Sequence, residues 1–154
     1  MYRLEYVKDF IAGQAVVEFH PTAEETPTVS DAATALGVTE DRIIKSLVFL
    51  VEGKPFLAIV NGNRRVSEKK LAALLGVGRK RVKLAPREVT LELTGYEGGV
   101  MPPFAHKEKL PTLVDKAVLA QELVYGGTGD SRVLLSIHPE ELVRVTEARV
   151  VDIT

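Results

Sequence analysis

The chain has 154 residues, of which 45% are hydrophobic and 27% charged, and its formal net charge is −1. This length and composition are typical of one globular domain with a core of its own, so we predict a single domain over residues 1–154. The near-zero net charge excludes a global positive field but not a local basic patch. The absence of Cys excludes disulfides, thiolate zinc sites and a Cys nucleophile.

Targeting and membrane signals are also absent from the sequence. No run approaches the ~18 apolar residues of a membrane helix. The N-terminal segment MYRLEYVKDF is charged rather than signal-like. We therefore expect a cytoplasmic protein with no membrane contact.

The hydrophobic pattern predicts helices and strands in mixed order. The first half is typical of a helix in LEYVKDFIAG, a strand in AVVEFH, a short helix in SDAATALG with a Ser or Asp cap, a hairpin of RIIKSLVFLV and PFLAIVNG, and a helix capped by Ser67 in SEKKLAALLG. The second half predicts a strand in RVKLA, a helix in PREVTLEL, a strand in LPTLVD, a helical turn in KAVLAQ, strands in ELVYGG and RVLLSI, a helix in HPEELVRV and a closing strand in ARVVDI. Because hairpins mix with crossovers, we predict an α+β (mixed α/β) fold, with a central, largely antiparallel sheet and surrounding helices.

Most familiar enzyme motifs are missing. The sequence has no G-x-x-x-x-G-K-[ST], H-E-x-x-H or G-x-S-x-G, and GGTGD is better explained as a glycine turn between two strands than as a phosphate loop. The three His residues are too scattered for metal-ligand spacing. We expect neither a metal nor a cofactor.

Two basic segments flank the SEKKLAALLG helix. Residues 63–83 hold eight of the 20 basic residues and one acid. This density indicates either a solvated helix face or a footprint for a phosphate backbone, which gains affinity by releasing counterions. On the second interpretation the candidate contacts form one contiguous patch: Arg64, Arg65, Lys69, Lys70, Arg79, Lys80 and Arg81.

Lys45 stands at the head of an otherwise apolar strand. Strand alternation puts it on the same face as Leu47 and Phe49, so its stem is expected to be buried unless it points outward at the strand end. A buried ammonium group costs free energy unless it meets an anion or a polar cavity. Lys45 is therefore a candidate residue for binding a phosphate, a carboxylate or a developing oxyanion.

The stretch LTGYEGGVMPPF, residues 93–104, concentrates Gly and Pro in one long connection. Such a run is either a rigid surface turn or a loop that presents backbone N–H groups to a ligand, since glycine has no Cβ to block approach.

Taken in order, the segments IIKSLVFLV, VSEKKLAALLG, TGYEGGVMPPFAH, LPTLVD and VYGG resemble the YbaK / prolyl-tRNA synthetase-associated editing domain family. The resemblance extends roughly from Val17 to Leu142. It implies a mixed α/β fold and an aminoacyl-tRNA deacylase that removes wrongly attached amino acids. The implied substrate is tRNA-Pro carrying a small amino acid such as Ala or Cys, and a synthetase is a possible partner.

The resemblance also assigns residues. The family's editing Lys falls on Lys45, and its Gly-x-x-x-Pro loop falls on Gly99 and Pro103, with Gly98 and Pro102 as the alternative register. Val100 and Ala105 stand where the family usually has Gly. The implied catalytic residues are Lys45 and Gly99. The implied substrate-binding residues are Thr94, Gly95, Tyr96, Gly98, Val100, Pro103, His106, Gly126 and Gly127.

Two other functions fit the same residues. A tRNA-binding module without catalysis would use the basic patch, and a small-molecule hydrolase or sensor would use the cavity beside Lys45.

Overall fold

The computed structural model describes residues 2–154. Its five α-helices are α1 (Leu4–Ile11), α2 (Val29–Leu36), α3 (Glu68–Leu75), α4 (Arg87–Thr94) and α5 (Pro139–Thr146). Its eight strands are β1 (Glu18–Pro21), β2 (Ile44–Val51), β3 (Lys54–Asn61), β4 (Val82–Leu84), β5 (Thr112–Asp115), β6 (Val124–Gly126), β7 (Val133–Ile137) and β8 (Arg149–Val151). Short 3-10 helices cover Glu40–Arg42, Arg79–Arg81 and Lys116–Ala120. None of the helices in residues 2–154 has the length and apolar character needed to cross a membrane.

The strands form two sheets. The larger has the order β4-β2-β3-β5-β8, and the smaller has the order β1-β7-β6 and is antiparallel throughout. The predicted α+β fold is confirmed. The larger sheet is mixed, because β2 pairs antiparallel with β3 and β4 whereas β5 pairs parallel with β3 and β8. The parallel pairs arise from two long crossovers, one through α3 and α4 and one through α5.

Helix ends follow the predicted chemistry with one correction. The Ser67 hydroxyl accepts a hydrogen bond from the Lys70 N–H at 3.1 Å, so the predicted cap of α3 is confirmed. The expected Ser or Asp cap of α2 is wrong. Thr28 caps that helix in a reciprocal capping box with Asp31, which therefore lies at the third helical position.

The hairpin of β2 and β3 separates two hydrophobic cores. One face of the hairpin packs with α1, α5 and the 96–105 loop, and carries Ile44, Val48, Leu57 and Ile59. The other face packs under α3 and carries Leu47, Phe49, Ala58 and Val60. Lys45 belongs to this second face by alternation, as the sequence predicts.

The Gly/Pro loop between α4 and β5 is held by side chains from both of its ends. The Tyr96 hydroxyl donates to the Ala105 carbonyl at 2.8 Å, and Tyr96 is 1% exposed. The backbone of Ala105 has φ +65°, a conformation that favours glycine, which explains why a Gly is usual at this position of the resembled family. The His106 ring nitrogen Nε2 lies 2.7 Å from the Pro102 carbonyl and donates to it in the neutral tautomer. These contacts fix the path of the loop.

The buried His106 makes the stability of this loop depend on pH. Burial lowers the pKa of the imidazole from 6.5, and the hydrogen bond to Pro102 opposes this shift only in part. Because the unfolded chain then binds a proton more readily than the folded one, the free energy of unfolding should fall as the pH drops below about 6.5. The slope should not exceed about 1.4 kcal/mol per pH unit and should level off below the folded-state pKa.

Urea denaturation of the parent and of His106→Gln between pH 5 and pH 8 measures this effect. The Gln amide can still donate to the Pro102 carbonyl but does not titrate, so the variant should have a shallower pH profile through this window. Parallel profiles for the two proteins would assign the pH dependence to other groups.

Candidate functional site

A cavity of about 200 Å³ lies where β2 begins, between the Gly/Pro loop and the end of β6. Four residues of the predicted site line it together: Lys45, Gly99, Gly126 and Gly127. The rest of its wall is largely apolar and includes Val29, Ala32, Ile43, Ile44, Met101 and Leu134. The structure thus brings the predicted lysine and the predicted loop glycine to one cavity.

The cavity opens onto an uncovered stretch of the β2 edge. On that side β4 pairs only with Phe49, Leu50 and Val51, and the Ala85 N–H extends the ladder by one bond to the Val48 carbonyl. Alternation points the N–H and C=O of Ser46 in the same direction as those of Val48. Among the described residues, no strand pairs with Ser46 on this side.

Lys45 holds an unneutralised cation at the cavity wall. Its Nζ donates a long hydrogen bond of 3.4 Å to the Gly62 carbonyl. No carboxylate in residues 2–154 lies within 4.0 Å of that Nζ. Burial lowers the pKa of Lys45, and the nearby positive charge of Arg65 lowers it further. Both effects disfavour the charged form of Lys45 while it has no partner, so the ammonium group would gain from an anion that enters the cavity.

The loop backbone closes the opposite side of the cavity. Gly99 has φ +89°, which a residue with a Cβ adopts only under strain. A Cβ on Gly127 would lie 2.6 Å from the Val100 carbonyl oxygen, so this glycine is required for the loop and the β6 end to approach. The Val100 carbonyl accepts a hydrogen bond of 2.7 Å from the Gly129 N–H. The Val100 backbone carbonyl therefore helps to hold the Gly/Pro loop against the segment that follows β6.

The other predicted substrate-binding residues lie outside this cavity. Tyr96 and His106 make the loop contacts described above. The buried Thr94 hydroxyl donates to the Thr90 carbonyl at 2.7 Å, and Gly95 ends α4 with φ +84°. Pro103 and His106 line a separate cavity beside Lys109, whose Nζ lies 2.9 Å from a carboxylate oxygen of Glu147. Gly98 faces a third cavity on the other side of Met101. Gly99 shares the cavity of Lys45, whereas Gly98 does not.

The basic residues fall into two groups at opposite ends of the β2–β3 hairpin. Arg65 lies close enough to Lys45 to lower its pKa, whereas the Arg81 carbonyl accepts from the Glu52 N–H at the far end. Lys45 and Val51 are six residue steps apart along β2, a distance of about 20 Å. The predicted set is thus a near group (Arg64, Arg65, Lys69 and Lys70) and a far group (Arg79, Lys80 and Arg81). The two groups flank α3, and the single contiguous patch stays a prediction.

Some of these basic side chains are already engaged. The Lys70 Nζ lies 3.0 Å from Asp152 Oδ1 and donates to the Thr154 carbonyl at 2.6 Å. Arg64 donates to the Thr154 hydroxyl at 3.1 Å, and Arg81 lies 3.9 Å from a Glu52 carboxylate oxygen. Within residues 2–154, Arg65, Lys69, Arg79 and Lys80 have no carboxylate within 4.0 Å, so these four are the cations most available to a phosphate backbone.

The sequence analysis did not identify the segment at the start of α2 as part of the site. Thr26, Pro27, Thr28 and Val29 line the cavity. A Cβ on Gly62 would lie 2.4 Å from a Val29 methyl carbon, so this turn packs directly on the segment. The T-P-T pattern before a helix gives a capping signal, but nothing local indicates that it closes a cavity.

Comparisons with known proteins show what this chain is similar to. A protein proposed to be a trans-editing enzyme for prolyl-tRNA synthetase superposes with a TM-score of 0.89 at 30% identity, over 98% of this chain and 96% of that one. The Bacillus subtilis (strain 168) protein YwhH is 32% identical over 136 residues, which cover 88% of this chain and 83% of YwhH.

Longer proteins contain a related segment. A proline–tRNA ligase of Elusimicrobium minutum (strain Pei191) is 38% identical over 86 residues, and the match covers 56% of this chain but 15% of the ligase. The family model of the aminoacyl-tRNA editing domain matches residues 23–145, most of the chain. This chain belongs to the aminoacyl-tRNA editing domain family.

Proposed function

We propose that this protein is a deacylase that acts in trans on mischarged aminoacyl-tRNA. The observation that carries the proposal is the cavity shared by Lys45 and Gly99, in a chain of the editing domain family. An aminoacyl ester is already reactive, so positioning and charge stabilisation can suffice for its hydrolysis without a catalytic triad.

The proposed substrate is tRNA-Pro carrying a small wrong amino acid such as Ala or Cys. The cavity volume of about 200 Å³ supports a small aminoacyl group, since typical small-molecule cavities measure ~300–1,000 Å³. The similarity to a protein proposed to serve prolyl-tRNA synthetase supports the choice of tRNA.

In the proposed reaction, the acceptor end of the tRNA lies along the near basic group and its ester enters the cavity. A water molecule, or a ribose hydroxyl that assists it, attacks the ester carbonyl. Backbone N–H groups near Gly99 stabilise the tetrahedral oxyanion. The C–O bond to the ribose then breaks, and the ribose oxygen leaves with a proton as the free amino acid forms. Lys45 binds the terminal phosphate or steadies the oxyanion, and does not act as the base.

A deacylation panel tests the activity itself. Purified protein should hydrolyse tRNA-Pro charged with Ala or Cys faster than tRNA-Pro charged with Pro, with seryl-tRNA as a further substrate. Salt-sensitive tRNA binding with no hydrolysis of any species would instead indicate a binding module without catalysis.

Replacement of Lys45 tests whether its side chain contributes to hydrolysis. Lys45→Ala should lower kcat/KM on the best substrate of the panel by ~10²-fold, because it removes a charge that faces the developing oxyanion. Lys54→Ala changes an exposed lysine at the other end of the same hairpin and should leave kcat/KM unchanged. Hydrolysis by Lys45→Ala at the parental rate would refute this role.

Replacement of Gly99 should test the backbone site. Gly99→Ala and Gly13→Ala both force a Cβ onto a positive φ, of +89° and +76°, so each should lose about 1 kcal/mol of stability or slightly more. Only Gly99→Ala should also lower kcat, because only its backbone faces the proposed oxyanion. Equal activity of the two variants would remove Gly99 from the mechanism.

The two basic groups should differ in which substrates they affect. Arg65→Ala should lower kcat/KM on both intact aminoacyl-tRNA and an aminoacylated CCA trinucleotide. It should also reduce, by about one unit, the slope of the logarithm of the tRNA-binding constant against the logarithm of the salt concentration. Lys80→Ala, about 20 Å farther along the hairpin, should affect intact tRNA alone. A loss on the trinucleotide with Lys80→Ala would contradict this division.

A further inference from the structure

The carboxyl ends of three strands meet at the end of the larger sheet where Lys45 lies. The strands β3, β5 and β8 run parallel, so the segments that follow them leave the sheet at this same end. Lys45 stands near the start of the antiparallel β2 and therefore belongs to this end as well. Three strand spacings separate β2 from β8, about 14 Å in all. An RNA strand whose terminus enters the cavity of Lys45 can thus extend across the end of the sheet.

Basic side chains follow two of these strands. The near basic group lies in the segment after β3 and in the first turn of α3, and Lys116 comes directly after β5. The Lys116 side chain is 67% exposed. Lys116 lies outside both basic segments that flank α3 in the sequence, yet the fold brings it to the same carboxylate as Lys70. The cations at this end of the sheet therefore include one that sequence spacing does not indicate.

The carboxylate of Asp152 holds these two lysines together. The Lys70 Nζ lies 3.0 Å from Asp152 Oδ1, and the Lys116 Nζ lies 3.3 Å from Asp152 Oδ2. Each oxygen thus contacts one cation, as the two non-bridging oxygens of a phosphodiester could. The hydrogen bonds from Lys70 and from Lys116 lower the pKa of Asp152, so its carboxylate is charged at neutral pH.

The backbone around Asp152 is fixed in place. Its neighbours Val151 and Ile153 are both buried. The Ile153 N–H donates to Asp115 Oδ1 at 2.9 Å, and the Ile153 carbonyl accepts from the Ser67 N–H at 2.6 Å. Asp152 therefore cannot swing away with its backbone when another anion approaches, and its charge stays among the cations.

We propose that Asp152 is an internal competitor of the RNA phosphate backbone for Lys70 and Lys116. This inference rests on the proposed deacylase function and concerns how strongly the same surface binds tRNA. A lysine that Asp152 already neutralises displaces fewer counterions from RNA, so the carboxylate lowers the affinity. A deacylase that acts in trans releases its tRNA at every turnover, and a limited affinity serves that step.

Neutralisation of Asp152 tests the proposal in a binding assay that involves no hydrolysis. The probe is uncharged tRNA-Pro, and its binding is measured by fluorescence anisotropy over a series of salt concentrations. Asp152→Asn keeps the size of the side chain and frees both lysines, so it should bind this tRNA about 10-fold more tightly at low salt. It should also steepen, by about one to two units, the slope of the logarithm of the binding constant against the logarithm of the salt concentration.

A matched variant controls for the change in net charge. Glu68→Gln removes the same charge from the first turn of α3, and within residues 2–154 no Lys, Arg or His nitrogen lies within 4.0 Å of the Glu68 carboxylate. It should tighten tRNA binding by less than about 2-fold. Thermal unfolding checks that each variant is folded, and Asp152→Ser replaces Asp152→Asn if the latter fails to fold.

A double-mutant cycle tests the contact itself. Lys116→Ala should weaken tRNA binding more in the Asp152→Asn background than in the parent, because only there is Lys116 free to meet a phosphate. Equal losses in the two backgrounds would show that Asp152 acts through net charge alone.

The outcomes separate this inference from the proposed function. Unchanged tRNA binding by Asp152→Asn, a gain no larger than that of Glu68→Gln, or equal losses in the cycle would overturn the internal competitor even if the parent hydrolyses aminoacyl-tRNA. Tighter and more salt-dependent binding by Asp152→Asn, beside a parent that hydrolyses none of the panel, would support the competitor and refute the deacylase.

Discussion

Pro86 is the residue on which the shape of the site depends. The β4 ladder along β2 ends with the bond from the Ala85 N–H to the Val48 carbonyl, and the next residue is a proline. Proline has no N–H to donate, and here it caps α4 and turns the chain away from the sheet. The edge of β2 at Ser46 is therefore left uncovered by β4. Ser46 lines the cavity of Lys45, so the end of the β4 ladder leaves this part of the cavity wall without a paired strand on that side.

The other side of the site depends on how closely two backbone segments approach. The β6 end reaches the Val100 carbonyl only because Gly127 has no Cβ, and the Gly/Pro loop reaches this position because Tyr96 and His106 hold its far end. Loop residues that never contact the cavity thus determine where the Gly99 backbone lies. This explains how Tyr96 and His106 can belong to the sequence pattern of the resembled family, TGYEGGVMPPFAH in this chain, although they lie outside the cavity of Lys45.

The sequence predicts the elements of this fold well and their assembly less well. Periodicity and end signals are local properties, so the hairpin, the Ser67 cap and the face of Lys45 are recovered. The sequence alone does not show that the basic residues form two groups, because segments close in sequence lie towards opposite ends of the β2–β3 hairpin.

In its proposed role at the oxyanion, the charge on Lys45 would favour the transition state over the bound substrate. A partly buried ammonium group loses hydration, and here it gains only one long hydrogen bond in return. A neutral ester offers it little, whereas the oxyanion of the tetrahedral intermediate offers a full opposite charge in a small, largely apolar cavity where attraction is strong. In that proposed role the interaction with Lys45 would be stronger in the transition state than in the ground state, which is the condition for raising kcat rather than only tightening binding. A carboxylate partner for Lys45 would stabilise the resting protein and remove this advantage.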